Sequence, residues 1–234
     1  MIIQKGTTLI ELTVVLLILI ALAGLAFPYV SGTSSKALCD ATDVSMANIK
    51  KVIMERYYLD TLGSFPQDKG SDDYSLHYLF SQGDGAGTDW NNFDPDSQVG
   101  WRGPYLQGAI TLNATDISNL DGSFQDISAV PNYHVNKDLV ANDFIVFDGW
   151  GRPIIIQVTD CSNWDITTVS GQCARLVSAG PFGGLGIGNA AIDTQILDDA
   201  STLTVSEQHR QNDDRILYLN APTPAEDINP SCGD

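Results

Sequence analysis

From Leu12 to Ser35 the chain carries no charged residue, and Leu12–Phe27 is almost continuously apolar. With Leu9 and Ile10 the apolar stretch reaches about 20 residues, the length that crosses a bilayer core as a helix. One reading is a secretory signal peptide, with Lys5 as the basic region and a small-residue cleavage site near Ala21–Ala23 or Gly24–Ala26. Three features weigh against it. Glu11 sits at the start of the run, where a carboxylate is costly unless something uses it. Gly6 lies between a short polar leader and the run. Beyond the run a helical spacing continues through Leu38, Ala41, Val44, Ile49, Val52, Ile53 and Tyr57, where a mature secreted domain would begin differently.

Charge divides the 234 residues unevenly. Residues 1–60 hold five basic and five acidic side chains, so the whole net charge of −17 falls on residues 61–234. A body so acidic argues against a general nucleic-acid binder and against docking on anionic lipid. Three scattered histidines and the lack of G-x-S-x-G, H-E-x-x-H or a phosphate loop give no sign of an enzyme. His77 is expected at the surface beside a short helix.

Lys5-Gly6-Thr7-Thr8-Leu9-Ile10-Glu11-Leu12 resembles the class III signal of type IV pilins and pseudopilins, commonly K-G-F-T-L-I-E-L. The resemblance implies cleavage after Gly6 by a prepilin peptidase and N-methylation of Thr7, where the family usually has phenylalanine. Pro28 falls where family members commonly have a proline. It further implies copies of the chain as partners, an inner-membrane assembly platform, and inner-membrane lipid before assembly. The chemistry is consistent with this. Glycine lets a protease approach the backbone, and Glu11 can meet the new α-amine of its own helix or of a neighbouring subunit. Gly24 and Pro28 are poor helix residues and mark a kink or a stretch that can melt; an ordinary kink is the alternative.

The body is similar to the major pseudopilin of type II secretion in Tyr57-Tyr58 to Gly63 and Pro66, Trp101–Leu106, Asp148–Pro153 and Leu176–Gly180. It departs from that pattern in an apparent insertion at 107–142, in a loop Ser178–Gly183 without aspartate, and in its four cysteines.

The expected fold class is α+β. A 1–6 leader precedes a long helix over 7–62, with an apolar transmembrane half at about 9–30 and an amphipathic half packed on a small antiparallel sheet head of residues 63–234. On the amphipathic half Lys36, Asp40, Asp43, Lys50, Lys51 and Glu55 are expected to face mostly outward. A second helix starts at Ser71, with Leu76, Leu79 and Phe80 as its apolar face. Phe144–Phe147 and Pro153–Val158 form a hairpin around Asp148–Gly151, and Ala174–Ser178 and Arg215–Leu219 are further strands.

Cys161 and Cys173 flank a polar turn between two strands and are expected to pair; elimination then leaves Cys39 with Cys232, or two free thiols. No cofactor is expected, and zinc finds no C-x-x-C or neighbouring histidine. Calcium would use Ser178 with Asp193 and Asp213 or Asp214; the alternative is a solvated acidic surface.

The function expected is a structural subunit of a type IV pilus-like filament, anchored in the cytoplasmic membrane with its head outside before assembly. The alternatives are a type II secretion pseudopilus subunit and a non-assembling membrane-anchored enzyme or binding protein.

Overall fold

The computed structural model describes residues 9–67, 74–83, 90–111, 142–151, 153–164, 166–178, 180, 214–229 and 231–232, with no side chains over 22–34. Helix α1 spans Leu9–Val52. It passes into a π-helical turn, Ile53–Tyr57, and closes with α2, Tyr58–Asp60. The chain then reverses through Leu62 and Gly63, both at positive φ, and the Gly63 N–H caps the carbonyl of Tyr58 at 2.7 Å.

Among the described residues no helix is long and apolar enough to cross a membrane. The apolar stretch with described side chains, residues 9–21, measures about 20 Å at 1.5 Å per residue, against a bilayer core of about 30 Å. This finding overturns the expected transmembrane half at 9–30.

The single small sheet is also corrected. Among the described residues two antiparallel sheets form: β1 (Ile110–Thr111) with β2 (Phe144–Ile145), and β3 (Ile155–Asp160), β4 (Gln172–Ser178) and β5 (Arg215–Tyr218) in that order. Among the described residues the expected hairpin of 144–147 with 153–158 shrinks to the bridge Phe147–Pro153 and the hydrogen bond from Ile154 N–H to Val146 O at 2.8 Å. Pro153 has no N–H for a ladder, so β2 pairs backwards with β1 and β3 pairs forwards with β4.

The three-stranded sheet is buried on both faces, which explains why its strands are mostly apolar on both sides, with Gln157 and Arg175 as buried exceptions. Ile154, Ile156, Val158, Ala174 and Leu176 pack on Met46, Ile49, Ile53 and Tyr57 of the helix. Ile155, Cys173, Val177, Ile216 and Tyr218 meet Trp164 and Ile166 on the far side. Within that second cluster lies Arg175, fully buried on the central strand. Its guanidinium donates to Gln157 Oε1 and Tyr218 Oη, each at 3.0 Å, and stacks 4.4 Å over the Trp164 ring. Burial lowers its pKa, while Tyr218 and Asp227 oppose the shift. The carboxamide of Asn229 bonds both backbone groups of Ile216 on β5, filling edge positions that would otherwise template another strand.

The buried stripe of the helix keeps Ile49, Ile53 and Tyr57 of the expected one and departs from it at Ala41 and Val44. Cys39, Thr42, Met46, Ile49, Ile53 and Tyr57 face the head, whereas Val44 is 70% exposed and Ala41 is also outside. Both stripes obey helical spacing. Thr42 wins because its hydroxyl accepts the Gly149 N–H of the head, described below.

The expected start at Ser71 lies outside the described residues; where the helix was expected to carry Leu76, Leu79 and Phe80, a 3₁₀ turn forms over Leu76–Leu79, capped by Ser75. All four of its residues are buried, so the turn has no outward face. His77 is consequently interior, stacked on Phe144 and accepting that residue's N–H at 3.1 Å on Nδ1.

Candidate assembly helix and its anchorage

The N-terminal part of α1 projects from the head with its apolar side chains in the open. Exposure runs from 82% at Leu9 to 71% at Ile20, with Leu12, Val14, Val15, Leu17, Ile18 and Leu19 all more than half exposed. They lie on every side of the helix, so no single groove would cover them. Glu11 stands in the first turn and is exposed. The Thr13 hydroxyl donates to the Ile10 carbonyl at 3.0 Å. The backbone is α-helical through Gly24 and Pro28. Gly6 and Thr7, where the pilin resemblance leads cleavage to be expected, lie outside the described residues.

The helix meets the head at successive points along one face. Cys39 is disulfide-bonded to Cys232, closing 193 residues of chain. Beside this bridge, Asp43 accepts from Arg215 Nε at 2.9 Å and from Arg215 Nη2. The Lys36 ammonium donates to the Cys232 carbonyl at 2.8 Å. Lys50, expected outside, is half-buried and donates to the Tyr218 carbonyl at 2.6 Å, and burial lowers its pKa.

The Asp148–Gly151 turn sits directly on the helix. The Gly149 N–H donates to Thr42 Oγ1 at 2.9 Å, and the Thr42 hydroxyl donates to Leu38 O. A Cβ on Gly149 would lie 2.2 Å from the Leu38 carbonyl oxygen, so only glycine fits. The Asp148 carboxylate accepts from Trp150 N–H at 2.9 Å and from the Ser178 hydroxyl at 2.6 Å, tying the turn to the end of β4.

At the far end of the helix, buried Asp60 accepts from Arg102 Nη2 and Nε and from the Tyr105 hydroxyl. The Tyr105 hydroxyl in turn accepts the Arg102 N–H at 2.9 Å. Burial, with Asp60 beside it, pushes the Tyr105 phenol up to about 12. The Trp101–Leu106 segment thus clamps the end of the helix.

The calcium candidates are not gathered into a shell among the described residues. Ser178 Oγ is engaged with Asp148 and with the Gly180 N–H. Asp214 is buried at the start of β5. Asp193 and Asp213 lie outside the described residues. A hard cation needs six to eight oxygens, and no group of three acidic side chains forms there among the described residues.

Cys161 and Cys173 form the second disulfide, across the turn joining β3 and β4. Sequence reasoning missed the partners of Asp60, Asp43 and Thr42. The only signals were Arg102 and Tyr105 inside a compact W-R-G-P-Y-L run and a glycine, Gly149, in an otherwise ordinary turn.

No protein-family model, no curated protein and no solved structure matches this chain.

Proposed function

We propose that the chain is a structural subunit of a type IV pilin-like helical filament, cut after Gly6 and assembled through α1. The observation that carries this reading is the exposed apolar surface on all sides of residues 9–20, continuous with a helix fastened to the head along residues 39–60. Full burial of one such aliphatic side chain contributes about 1.5–3 kcal/mol. Helices of neighbouring copies cover such a surface from every side. Glu11 is disfavoured in that apolar core unless it meets a cation, and the amine of Thr7 on a neighbouring copy supplies one, fixing the axial register. Before assembly, inner-membrane lipid covers the same stretch. A prepilin peptidase and an assembly platform complete the set of partners, and the role is mechanical rather than enzymatic. The clamp of Trp101–Leu106 on Asp60 favours a second reading, the type II secretion pseudopilus, because that segment carries the pseudopilin resemblance.

Intact mass of the membrane-fraction protein should show loss of residues 1–6 plus one methyl group, and Glu11→Ala should leave a folded subunit that no longer forms filaments. An N-terminus near Gly24 or Phe27, or normal filaments from Glu11→Ala, would refute the reading. Loss of surface fibres on deletion selects the pilus; loss of protein secretion selects the pseudopilus.

A further inference from the structure

Cys39 and Asp43 lie four residues apart on α1 and therefore on one face of the helix. The C-terminal segment brings Cys232 onto the same face. The two sulfurs and an Asp43 carboxylate oxygen all lie within 4.8 Å of one another. Cys232 Sγ is 3.7 Å from Asp43 Oδ2. Zinc holds sulfur at about 2.3 Å and carboxylate oxygen at about 2.0–2.2 Å, so a tetrahedral site has sulfur–oxygen edges of about 3.5 Å. The observed edge already has that size. The Cα atoms of the two cysteines are 5.7 Å apart, room enough for the separated sulfurs to take two corners.

Two contacts hold this geometry independently of the sulfur–sulfur bond. Arg215 grips Asp43, and Lys36 holds the Cys232 carbonyl at 2.8 Å. The Arg215 pair also fixes the carboxylate in the manner of an outer-shell ligand orienter. Two thiolates, a carboxylate and Zn²⁺ sum to −1, and the neighbouring guanidinium and ammonium offset that charge. Cys232 is partly exposed while Cys39 is buried, so reductant reaches the bridge at the Cys232 sulfur, whereas Cys161 and Cys173 are both fully buried.

We propose that the Cys39–Cys232 bridge is a redox-gated metal site: once reduced, Cys39, Asp43 and Cys232 bind one zinc ion, which keeps the C-terminal segment on the helix in place of the disulfide. A dithiol reductant delivers two electrons and two protons to the disulfide and leaves as its own disulfide. Zinc then binds the two thiols as thiolates, releasing two protons, with Asp43 as third ligand and the fourth position open to water. The C-x-x-x-D spacing on a helix face is the sequence signal for it.

The test uses full-length protein in detergent, reduced with a phosphine and freed of metal. Zinc is titrated against a chromophoric chelator, and Co(II) replaces it to report thiolate charge-transfer and tetrahedral bands. One ion per chain is expected for reduced protein and none for oxidised protein. Cys39→Ser and Cys232→Ser, and Asp43→Asn less strongly, should each weaken binding by at least the roughly ten- to hundredfold that loss of an outer-shell partner costs. Asp43→Asn retains both cysteines, and formation of its disulfide on oxidation checks that the C-terminal segment still reaches the helix. Zinc should protect Cys39 and Cys232, and not Cys161 or Cys173, from alkylation in peptide mapping. No binding by reduced protein, equal binding by oxidised protein, undiminished binding by Asp43→Asn in its disulfide-competent form, or protection confined to Cys161 and Cys173 would each overturn the proposal. None of these readouts depends on filament assembly.

Discussion

Asp60, at the last turn of the helix, holds Arg102 through two hydrogen bonds of 2.7 and 3.1 Å, although 42 residues separate them. The two ends of this pair are unequal: the Asp60 side chain is 4% exposed and that of Arg102 is 55% exposed. Removing the arginine leaves a carboxylate buried with the Tyr105 hydroxyl. Removing the charge of Asp60 leaves an arginine that can turn to water. Arg102→Ala should therefore cost about 3 kcal/mol and Asp60→Asn about 1 kcal/mol. The double variant should cost less than the sum. Urea unfolding of the four proteins gives the comparison, and equal losses from the two single variants would contradict it.

Tyr105 makes this corner sensitive to alkali. Its folded pKa, about 12, lies above the ordinary value of 10.0. Between these values the folded state binds more protons than the unfolded state, so stability falls as pH rises. The contribution is complete below pH 10 and is lost through pH 12. Tyr105→Phe should cost about 1 kcal/mol at neutral pH and show a shallower decline in unfolding midpoint above pH 10. An identical alkaline decline in variant and wild type would exclude Tyr105 as the cause.

The two disulfides close loops of very different length, with separations of 12 and 193 residues. In the chain-entropy model the short loop contributes about 3 kcal/mol and the long one about 5 kcal/mol. Replacing Cys39 and Cys232 together by alanine should lower the unfolding midpoint more than replacing Cys161 and Cys173, when metal is absent. The reverse order would mean that the long loop is already constrained in the unfolded chain.

Gly149 has no room for a methyl group against the Leu38 carbonyl. Gly149→Ala should push the Asp148–Gly151 turn off the helix and cost about 2–3 kcal/mol. Thr42→Val keeps the shape but removes the acceptor of the Gly149 N–H, for a loss of about 1–2 kcal/mol. Thermal unfolding of each variant measures the difference, and a neutral Gly149→Ala would show that the turn does not dock as described.

Several elements were legible from local pattern. The strand expected at 174–178 is found as β4 over Gln172–Ser178, and that expected at 215–219 as β5 over Arg215–Tyr218. Both are short apolar runs, which read the same way wherever they pack. The hairpin was misread because Pro153 blocks a ladder that the apolar pattern on each side suggested. His77 was misread because a 3₁₀ turn with four buried residues carries no amphipathic signature. Lys50 was assigned to solvent by its charge, yet its stem lies along the head and its ammonium reaches the Tyr218 carbonyl.

By itself the sequence determined the neutral front and acidic body, the uncharged apolar run behind Glu11, and the short Cys161–Cys173 spacing, because each is a property of residues near one another in the chain. Only the tertiary structure decided that Cys39, Thr42 and Met46 rather than Ala41 and Val44 continue the buried face of the helix, that the described part of the head pairs its strands in two sheets, and that Asp60 meets Arg102 while Asp43 meets Arg215 and Cys232. These depend on where distant segments converge. Side-chain periodicity specifies that a face is buried, but the partner that buries it is set by packing and hydrogen bonding across the whole chain.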